Sequence, residues 1–263
     1  MSRRLDLIEA GVTALRSLAR NGQSTAAIAQ AQRLLNRPDL PAVAAADAHR
    51  VMAELLLDSE RFTSARRHFR ASLALEPNHA RTHFLFGLAF ERDPHGDDLR
   101  AARRFRKASE LVPANAVYRA AFGRAAVRCD RANRGVKELL AASDAAMKDA
   151  ALLEVVVEGL LEAGKVRAAE RIIVKARFLC PGSGEVRQLG ERVRFESTRR
   201  GQRRASSTQD AGPAREGGAR LLPFIRLVRS IPEGKTPSAN VRRDVVSFPK
   251  PHLARFRSTK VDF

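Results

Sequence analysis

The sequence repeats itself at a period of 34 residues over most of its length. Prolines that would close a helix occur at Pro77, Pro113 and Pro181, at intervals of 36 and 68 residues, and Met147 occupies the missing position. Eight residues before each closing position lies a large apolar residue, and four residues before that lies a small one. These pairs are Ala65 and Phe69, Ala101 and Phe105, Gly135 and Leu139, and Ala169 and Ile173. Such a repeat constrains the fold more than local propensity does, because each unit must bury its apolar face against the next unit.

Each repeat predicts a pair of helices. A small, a large and a further small residue recur at i, i+4 and i+7, which places them on one face of the second helix. The first helix keeps a register of its own, with Ala53, Gly87, Gly123 and Val157 in one slot. Turn residues separate the two helices of every unit. The turn at 93–97 is two residues longer than the others, which accounts for the single 36-residue interval.

The period, the paired helices, the small and large slots and the closing prolines together resemble the tetratricopeptide repeat, most closely over 65–77 and 87–113. The resemblance covers residues 46–183 as four repeats. The third is the most diverged, because Gly135 is expected to weaken its second helix and Met147 replaces proline. The slot that the family usually fills with Trp holds His49, His83, Arg119 and Leu153. The resemblance implies an all-α fold, a right-handed solenoid of stacked helix pairs.

The segments that flank the repeats predict further helices. Residues 1–45 are expected to form a degenerate helical pair or N-terminal cap, because apolar residues recur at helical spacing on both sides of a turn at 21–23. Residues 184–198 predict a final amphipathic helix that caps the stack, as solenoids require at their exposed ends.

Positive charge is concentrated at the end of the chain. Of a net charge of +19, residues 199–263 contribute +10 through 15 basic and 5 acidic residues, and they hold six of the twelve prolines. Segments of high net charge and little apolar content cannot bury enough surface to fold alone. Residues 199–263 are therefore predicted to form a flexible, disordered basic tail.

One stretch of this tail, residues 219–231, alternates large apolar residues with arginines, and Pro223 would open a short helix there. An apolar patch of this kind needs a partner. The repeat domain, an anionic membrane and another protein are the alternatives. The membrane is the weakest of them, because a segment of about ten residues anchors poorly without a second signal. The predicted tail contacts are Phe224, Arg226, Leu227 and Arg229.

The resemblance also implies a concave groove that is lined by the first helix of each pair and selects the ligand. The register predicts its lining as Arg50, Glu54, Arg81, Phe84, Leu88, Val117, Arg124, Arg128, Glu154, Glu158 and Glu162. The last three recur at i, i+4 and i+8 and form an acidic stripe, which is either a solvated helix face or a site for a basic peptide. Some family members hold the C-terminal carboxylate of chaperones with a Lys and Asn clamp, and the corresponding slots here contain no such clamp.

No catalytic residue, metal site or cofactor is predicted. His79 and His83 lie four residues apart but lack the intervening glutamate of a metalloprotease, and they are expected on the repeat surface. The aspartates of 93–98 lack calcium-ligand spacing, and Asp97 or Asp98 is expected to cap a helix. Cys129 and Cys180 lie 51 residues apart without a CxxC motif, so they favour neither a zinc cage nor a disulfide framework.

The sequence therefore predicts a noncatalytic adaptor or scaffold that binds a peptide or partner protein in the groove, with the basic tail as a second contact. The alternative is a nucleic-acid-associated protein whose Arg-rich tail binds phosphates without sequence specificity, because no readout module accompanies it. A third hypothesis is self-regulation, in which Arg226 and Arg229 occupy the groove beside the acidic stripe. Neither the partner nor the oligomeric state is predicted.

The expected location is cytoplasmic. Asp6 and Glu9 interrupt what would be the apolar stretch of an export signal, and the most apolar segment, 150–161, is shorter than the ~20 residues that span a bilayer. No membrane span is predicted. The excess of Arg over Lys favours a bacterial source.

Overall fold

A computed structural model describes residues 2–206, and within them all regular structure is α-helical. The helices are α1 (Ser2–Arg20), α2 (Ser24–Leu35), α3 (Ala42–Asp58), α4 (Phe62–Leu75), α5 (Ala80–Glu91), α6 (Asp98–Leu111), α7 (Ala116–Arg128), α8 (Ala132–Ala146), α9 (Ala150–Glu162), α10 (Val166–Leu179) and α11 (Gly184–Ser206). The expected basic tail lies, apart from its first eight residues, outside the described part of the chain.

The helices stack as successive pairs. Within each repeat the first helix packs against the second, in the pairs α3 with α4, α5 with α6, α7 with α8, and α9 with α10. The second helix of one unit then contacts the first helix of the next, as α4 does with α5 and α6 with α7. The prediction of an all-α solenoid of helix pairs is confirmed. The pair α1 and α2 precedes the four units, and α11 follows them and continues eight residues beyond 198.

The repeated small and large residues form the core. Phe69, Phe105 and Leu139 are completely buried and Ile173 is 4% exposed. The small residue four positions earlier is also buried in every unit, which lets the two helices of the pair approach closely. Burial of a large apolar side chain stabilises the fold by about 1.5–3 kcal/mol, so one such residue in each unit is a repeated source of stability.

Side chains cap the helices at equivalent positions of successive units. The Nδ1 atom of His79 accepts a hydrogen bond from the Thr82 amide at the start of α5. The carboxamide oxygen of Asn115 caps α7, and a carboxylate oxygen of Asp149 caps α9. The Ser183 hydroxyl caps α11. These four residues are spaced by 36, 34 and 34 positions. Each satisfies backbone amides that a helix leaves without partners at its N-terminus.

The long turn of the second unit contains a helix cap and a tightly packed glycine. The Asp97 side chain accepts a hydrogen bond from the Arg100 amide at 3.0 Å and caps α6, as expected. A side chain at Gly96 would overlap the Phe90 carbonyl oxygen, so the turn closes against α5 only with glycine at this position. None of the described helices combines the length and hydropathy needed to cross a membrane.

Candidate functional site

Eight of the predicted groove residues carry charge and lie on the first helices of the four units. We call this set the first-helix face, and it is formed by Arg50, Glu54, Arg81, Arg124, Arg128, Glu154, Glu158 and Glu162. Helices α3, α5, α7 and α9 supply it, and neighbouring first helices contact one another, α5 and α7 through the rings of Phe84 and Tyr118. Ion pairs among the eight charged residues, and with neighbours outside this set, group the charges into two clusters.

The first cluster is centred on Asp47, which is 6% exposed. Arg50 on the same helix and Arg16 of α1 both form ion pairs with its carboxylate. Arg50 also reaches the end of α4, where its Nη1 atom lies 3.3 Å from Glu76 Oε2. Asp47 therefore links α1 to α3, and the predicted groove residue Arg50 links α3 to the end of α4.

Glu54 and Arg81 extend this first cluster to the next unit. The Arg81 Nη2 atom donates a hydrogen bond to Glu54 Oε2 at 3.1 Å, across the boundary between α3 and α5. Burial raises the pKa of Glu54, and the neighbouring Arg81 opposes the shift. His79 lies in the same environment. Burial and the charges of Arg50 and Arg81 lower its pKa to about 4, so the imidazole that caps α5 is neutral at neutral pH.

The second cluster connects α7 to α9 through Arg124, which is only 4% exposed. Its Nη2 atom lies 3.0 Å from Glu162 Oε1 and 3.4 Å from Glu158 Oε2. A buried guanidinium is stable only when its charge and donors are satisfied, because desolvation of a lone charge costs several kcal/mol. The two carboxylates of α9 provide that compensation.

Arg128 joins the same cluster to α5. It lies 2.9 Å from Glu91 Oε1 and 3.2 Å from Glu162 Oε1. Glu91 is 9% exposed, and its burial raises its pKa although Arg128 and Arg124 oppose the shift. Its second oxygen, Oε2, has no hydrogen-bond partner among the described residues.

The acidic stripe of α9 is occupied by arginines of the chain itself. In addition to Arg124 and Arg128, Arg192 of α11 lies 3.4 Å from Glu154 Oε1 and also forms an ion pair with Glu158. The stripe is therefore not a freely solvated face, and a basic peptide would have to displace arginines that already pair with it. The sequence did not point to Arg192, because α11 lies outside the repeat register and no slot in the pattern corresponds to it.

Phe84 and Leu88 do not line an open groove, and their prediction as ligand contacts is corrected. They are 0% and 1% exposed. The Phe84 ring lies 5.7 Å from that of Phe105 and 5.0 Å from that of Tyr118, measured between centroids. Every residue of α5 from Thr82 to Glu91 is buried, because neighbouring units cover this helix on both sides. Val117 is half-buried.

His83 differs from its expected surface position. His83 is 5% exposed and its Nε2 atom lies 2.9 Å from the Pro77 carbonyl oxygen, so it is a core residue. His49 and His68 are half-buried, and their Nδ1 atoms form a hydrogen bond of 3.0 Å between α3 and α4. The described residues contain no group of three or more His, Cys, Asp or Glu side chains arranged to hold a metal ion.

The expected tail contacts, Phe224, Arg226, Leu227 and Arg229, lie outside the described residues. The docking of the tail on the acidic stripe therefore stays a hypothesis. The carboxylates it invokes already have arginine partners, so a docked tail would have to displace Arg124, Arg128 or Arg192.

Comparison of the sequence with models of protein families and with curated proteins gave no match. Comparison of the structure with solved structures gave several. The TPR protein TTC0263 of Thermus thermophilus is 15% identical, with a TM-score of 0.51 over 72% of this chain and 99% of that chain. YrrB, described as a TPR protein with an unusual peptide-binding site, is 14% identical, with a TM-score of 0.55 over 69% and 90%. MamA of AMB-1 is 16% identical, with a TM-score of 0.52 over 69% and 94%.

Proposed function

We propose that this chain, whose fold is that of tetratricopeptide-repeat proteins, is a noncatalytic scaffold that binds an extended segment of a partner protein on its first-helix face. The fold similarity to solved TPR structures supports the scaffold role, and the description of YrrB as a peptide-binding TPR protein supports a peptide ligand. A cytoplasmic location remains a prediction from the sequence.

The observation that carries the proposal is the continuity of paired charges across successive units. The first cluster contains three arginines and three carboxylates, and the second contains three arginines and four carboxylates. Several of these groups are partly exposed, including Glu54, Glu154, Glu162 and Arg192. The exposed ion pairs are exchangeable, because an incoming charged side chain replaces one partner and the displaced one, such as the exposed Arg192, is then solvated by water.

This chemistry favours a segment of mixed charge with a small excess of basic residues. A strongly acidic segment would face four carboxylates in the second cluster, and like charges at contact cost several kcal/mol. A purely apolar segment would cover the charged groups without replacing their hydrogen bonds, which is also unfavourable. Main-chain groups of an extended segment would add hydrogen bonds that do not depend on its sequence.

The proposal is tested by selecting peptides from a random library against the full chain and measuring their affinity by fluorescence polarisation. The double variant Glu154→Gln and Glu162→Gln removes two partly exposed carboxylates of the first-helix face. We expect it to weaken the selected peptides by roughly tenfold or more, because each charge contact is worth about 1 kcal/mol.

The matched control is the double variant Glu110→Gln and Asp144→Asn. It also removes two carboxylates that form ion pairs, with Arg106 and Lys175, but on exposed positions of the second helices. The control should retain the affinity of the unmodified chain. Equal affinities of the two double variants for every selected peptide, or a selection that yields no binding peptide, would contradict the proposal.

A further inference from the structure

The two layers of helices differ sharply in charge. The first helices α3, α5, α7 and α9 contain 5 basic and 7 acidic residues. The second helices α4, α6, α8 and α10 contain 14 basic and 5 acidic residues, a net charge of +9. The excess positive charge of the repeat units is therefore located on the second helices, on the layer opposite the proposed peptide site.

Four of these basic residues occupy the same slot of four successive units. Arg67, Arg103, Lys137 and Arg171 each lie two positions before the large core residue of their second helix, at spacings of 36, 34 and 34 residues. All four are exposed. Because the units stack in order, these side chains follow one another along the solenoid. We call them the basic row.

Several other cations of the second helices have structural partners. Arg66 forms an ion pair with Asp93 at 2.6 Å, and Lys175 forms one with Asp144 at 2.7 Å. Arg104 and Arg134 lie over the rings of phenylalanines in the core, at 4.4 and 5.1 Å from the ring centroids. These residues have a role in the fold.

The basic row has no such role in the described part of the chain. Among residues 6–200, none of its four members forms an ion pair or lies over an aromatic ring. The arginines of the first-helix face, in contrast, are all paired. No ion pair or ring contact of the described residues explains why this one exposed slot is basic in every unit.

We propose that the basic row binds the phosphate backbone of nucleic acid, independently of sequence. Four exposed cations in register along stacked units match a linear polyanion, and three of the four are arginines, whose planar guanidinium binds phosphate through two parallel hydrogen bonds. This site is distinct from the proposed peptide site and from the predicted role of the tail.

The energetics distinguish nucleic acid from an acidic protein segment. An isolated surface ion pair contributes about 0–1 kcal/mol, so a row of separate cations holds a peptide poorly without apolar contacts. Nucleic acid carries condensed counterions, and each phosphate that a cation neutralises releases some of them to solution. A row of isolated charges is therefore sufficient for nucleic acid, and it needs no shaped pocket.

The neighbouring slot argues against a membrane. Three positions after the basic row lie Arg70, Arg106, Leu140 and Val174, all of them exposed. Binding in a membrane interface needs apolar side chains along the whole contact. The first two units provide only arginines at this slot, whereas nucleic acid can use all four units.

The test uses the full chain and a fluorescent 24-base-pair DNA duplex of mixed sequence, with affinity measured from about 50 to 200 mM salt. The row variant replaces Arg67, Arg103, Lys137 and Arg171 with Ala. The matched control replaces four other exposed basic residues, Arg20, Arg33, Arg187 and Arg194, which also lie outside the ion pairs of the described residues. Both variants remove four positive charges and retain the tail.

The row variant should bind the duplex at least tenfold more weakly than the control at low salt. The slope of log affinity against log salt should become shallower by about 3 to 4, as expected for the loss of four phosphate contacts. Two half variants, Arg67→Ala with Arg103→Ala and Lys137→Ala with Arg171→Ala, should each produce roughly half of this change in slope. If the changes in the two half variants add up to that of the row variant, the loss of DNA binding does not come from misfolding of the row variant.

Equal affinity and equal slope in the row variant and the control would overturn the proposal, and would assign any DNA binding to the tail or to net charge. No binding of the unmodified chain to the duplex at low salt would overturn it as well. Binding to vesicles of equimolar phosphatidylserine and phosphatidylcholine is measured in parallel. A row variant that loses vesicle binding and keeps its affinity for DNA would replace the proposal with a membrane site.

Discussion

At the residue scale, four turns between paired helices depend on one residue in the left-handed region. Gly22 and Gly164 have φ of 73° and 75°, and Glu60 and Asp130 both have φ of 58°. Glycine adopts this conformation without strain, whereas a residue with a Cβ loses about 1–2 kcal/mol there. Asp tolerates it better than Glu does, because its short side chain bonds to the local backbone. Glu60 is therefore the most strained of the four.

Substitution of Glu60 by Gly should raise the free energy of unfolding by about 0.5–1 kcal/mol. The relief of strain exceeds the cost of the larger conformational entropy of glycine in the unfolded chain, which is about 0.4–1 kcal/mol. Urea denaturation measures the change. Gly22→Ala is the control in the opposite direction and should destabilise the protein. A Cβ at Gly22 has no atom within 4 Å, so this substitution tests backbone strain alone. Destabilisation by Glu60→Gly would contradict this account.

The histidine cap of α5 makes stability depend on pH. Burial lowers the pKa of His79 from its ordinary value of 6.5 to about 4. The unfolded chain therefore binds a proton at this residue first, and the contribution of His79 to stability falls as the pH decreases from about 6.5 to 4. Protonation of Nδ1 would also remove the acceptor that caps α5.

The variant His79→Asn should remain folded and lose part of this pH dependence. Asn115 fills the equivalent cap position of the next unit, and an asparagine accepts the amide hydrogen bond at every pH in this range. The measurement is the free energy of unfolding of both proteins between pH 7 and pH 4, with His95→Asn at an exposed position as the control. Parallel curves for the original chain and His79→Asn would show that His79 is not the responsible group.

At the scale of elements, the third unit contains the closest approach between paired helices. A Cβ at Gly135 would lie 2.5 Å from the Gly123 carbonyl oxygen, and a Cβ at Gly123 would lie 2.9 Å from the Gly135 carbonyl oxygen. The other units have at least one larger residue at these slots, such as Ala65 and Ala101. Gly135 thus determines how α7 and α8 pack, although in the sequence it only suggested a weak helix.

The substitution Gly135→Ala should destabilise the protein by up to about 2 kcal/mol. Alanine improves helix propensity by about 1 kcal/mol, but a clash with backbone forces α7 and α8 apart, and overpacking costs about 1–3 kcal/mol. Thermal or urea denaturation gives the sign of the change in the free energy of unfolding. Gly159→Ala is the comparison, because its Cβ would meet the movable Leu139 side chain at 2.8 Å and its cost should be smaller. A stabilised Gly135→Ala variant would show that propensity outweighs packing.

The repeat register predicted the helices and the core better than it predicted the surface. Phe69 and Phe105 are core residues because their slot faces the paired helix, which is a local property of each unit. The burial of Phe84 and Leu88 depends instead on side chains of adjacent units that cover them. A pattern within one unit contains no information about these covering side chains. For the same reason, the pattern placed Arg124 and Glu154 on first helices but did not predict their ion-pair partners in other units.

At the scale of the molecule, ion pairs on the first-helix face bridge every boundary between successive first helices from α3 to α11. Arg81 reaches Glu54, Arg128 reaches Glu91, Arg124 reaches Glu162, and Arg192 reaches Glu154. The stability of a solenoid is approximately the sum of the stabilities of its units and of the interfaces between them. These pairs contribute to the interface terms, so they affect whether neighbouring units unfold together.

The interface between α7 and α9 provides the sharpest test, because Arg124 is buried whereas Arg192, which also pairs with Glu158, has a side chain that is 56% exposed. Arg124→Met should cost about 2–3 kcal/mol, since the removal of one buried partner leaves Glu158 and Glu162 incompletely compensated. Arg192→Met should cost less than about 1 kcal/mol, because solvent screens an exposed pair. Urea denaturation measures both costs, and hydrogen exchange should become faster in α9 and α10 of Arg124→Met. If the two substitutions destabilise equally, the burial of Arg124 does not determine the strength of this interface.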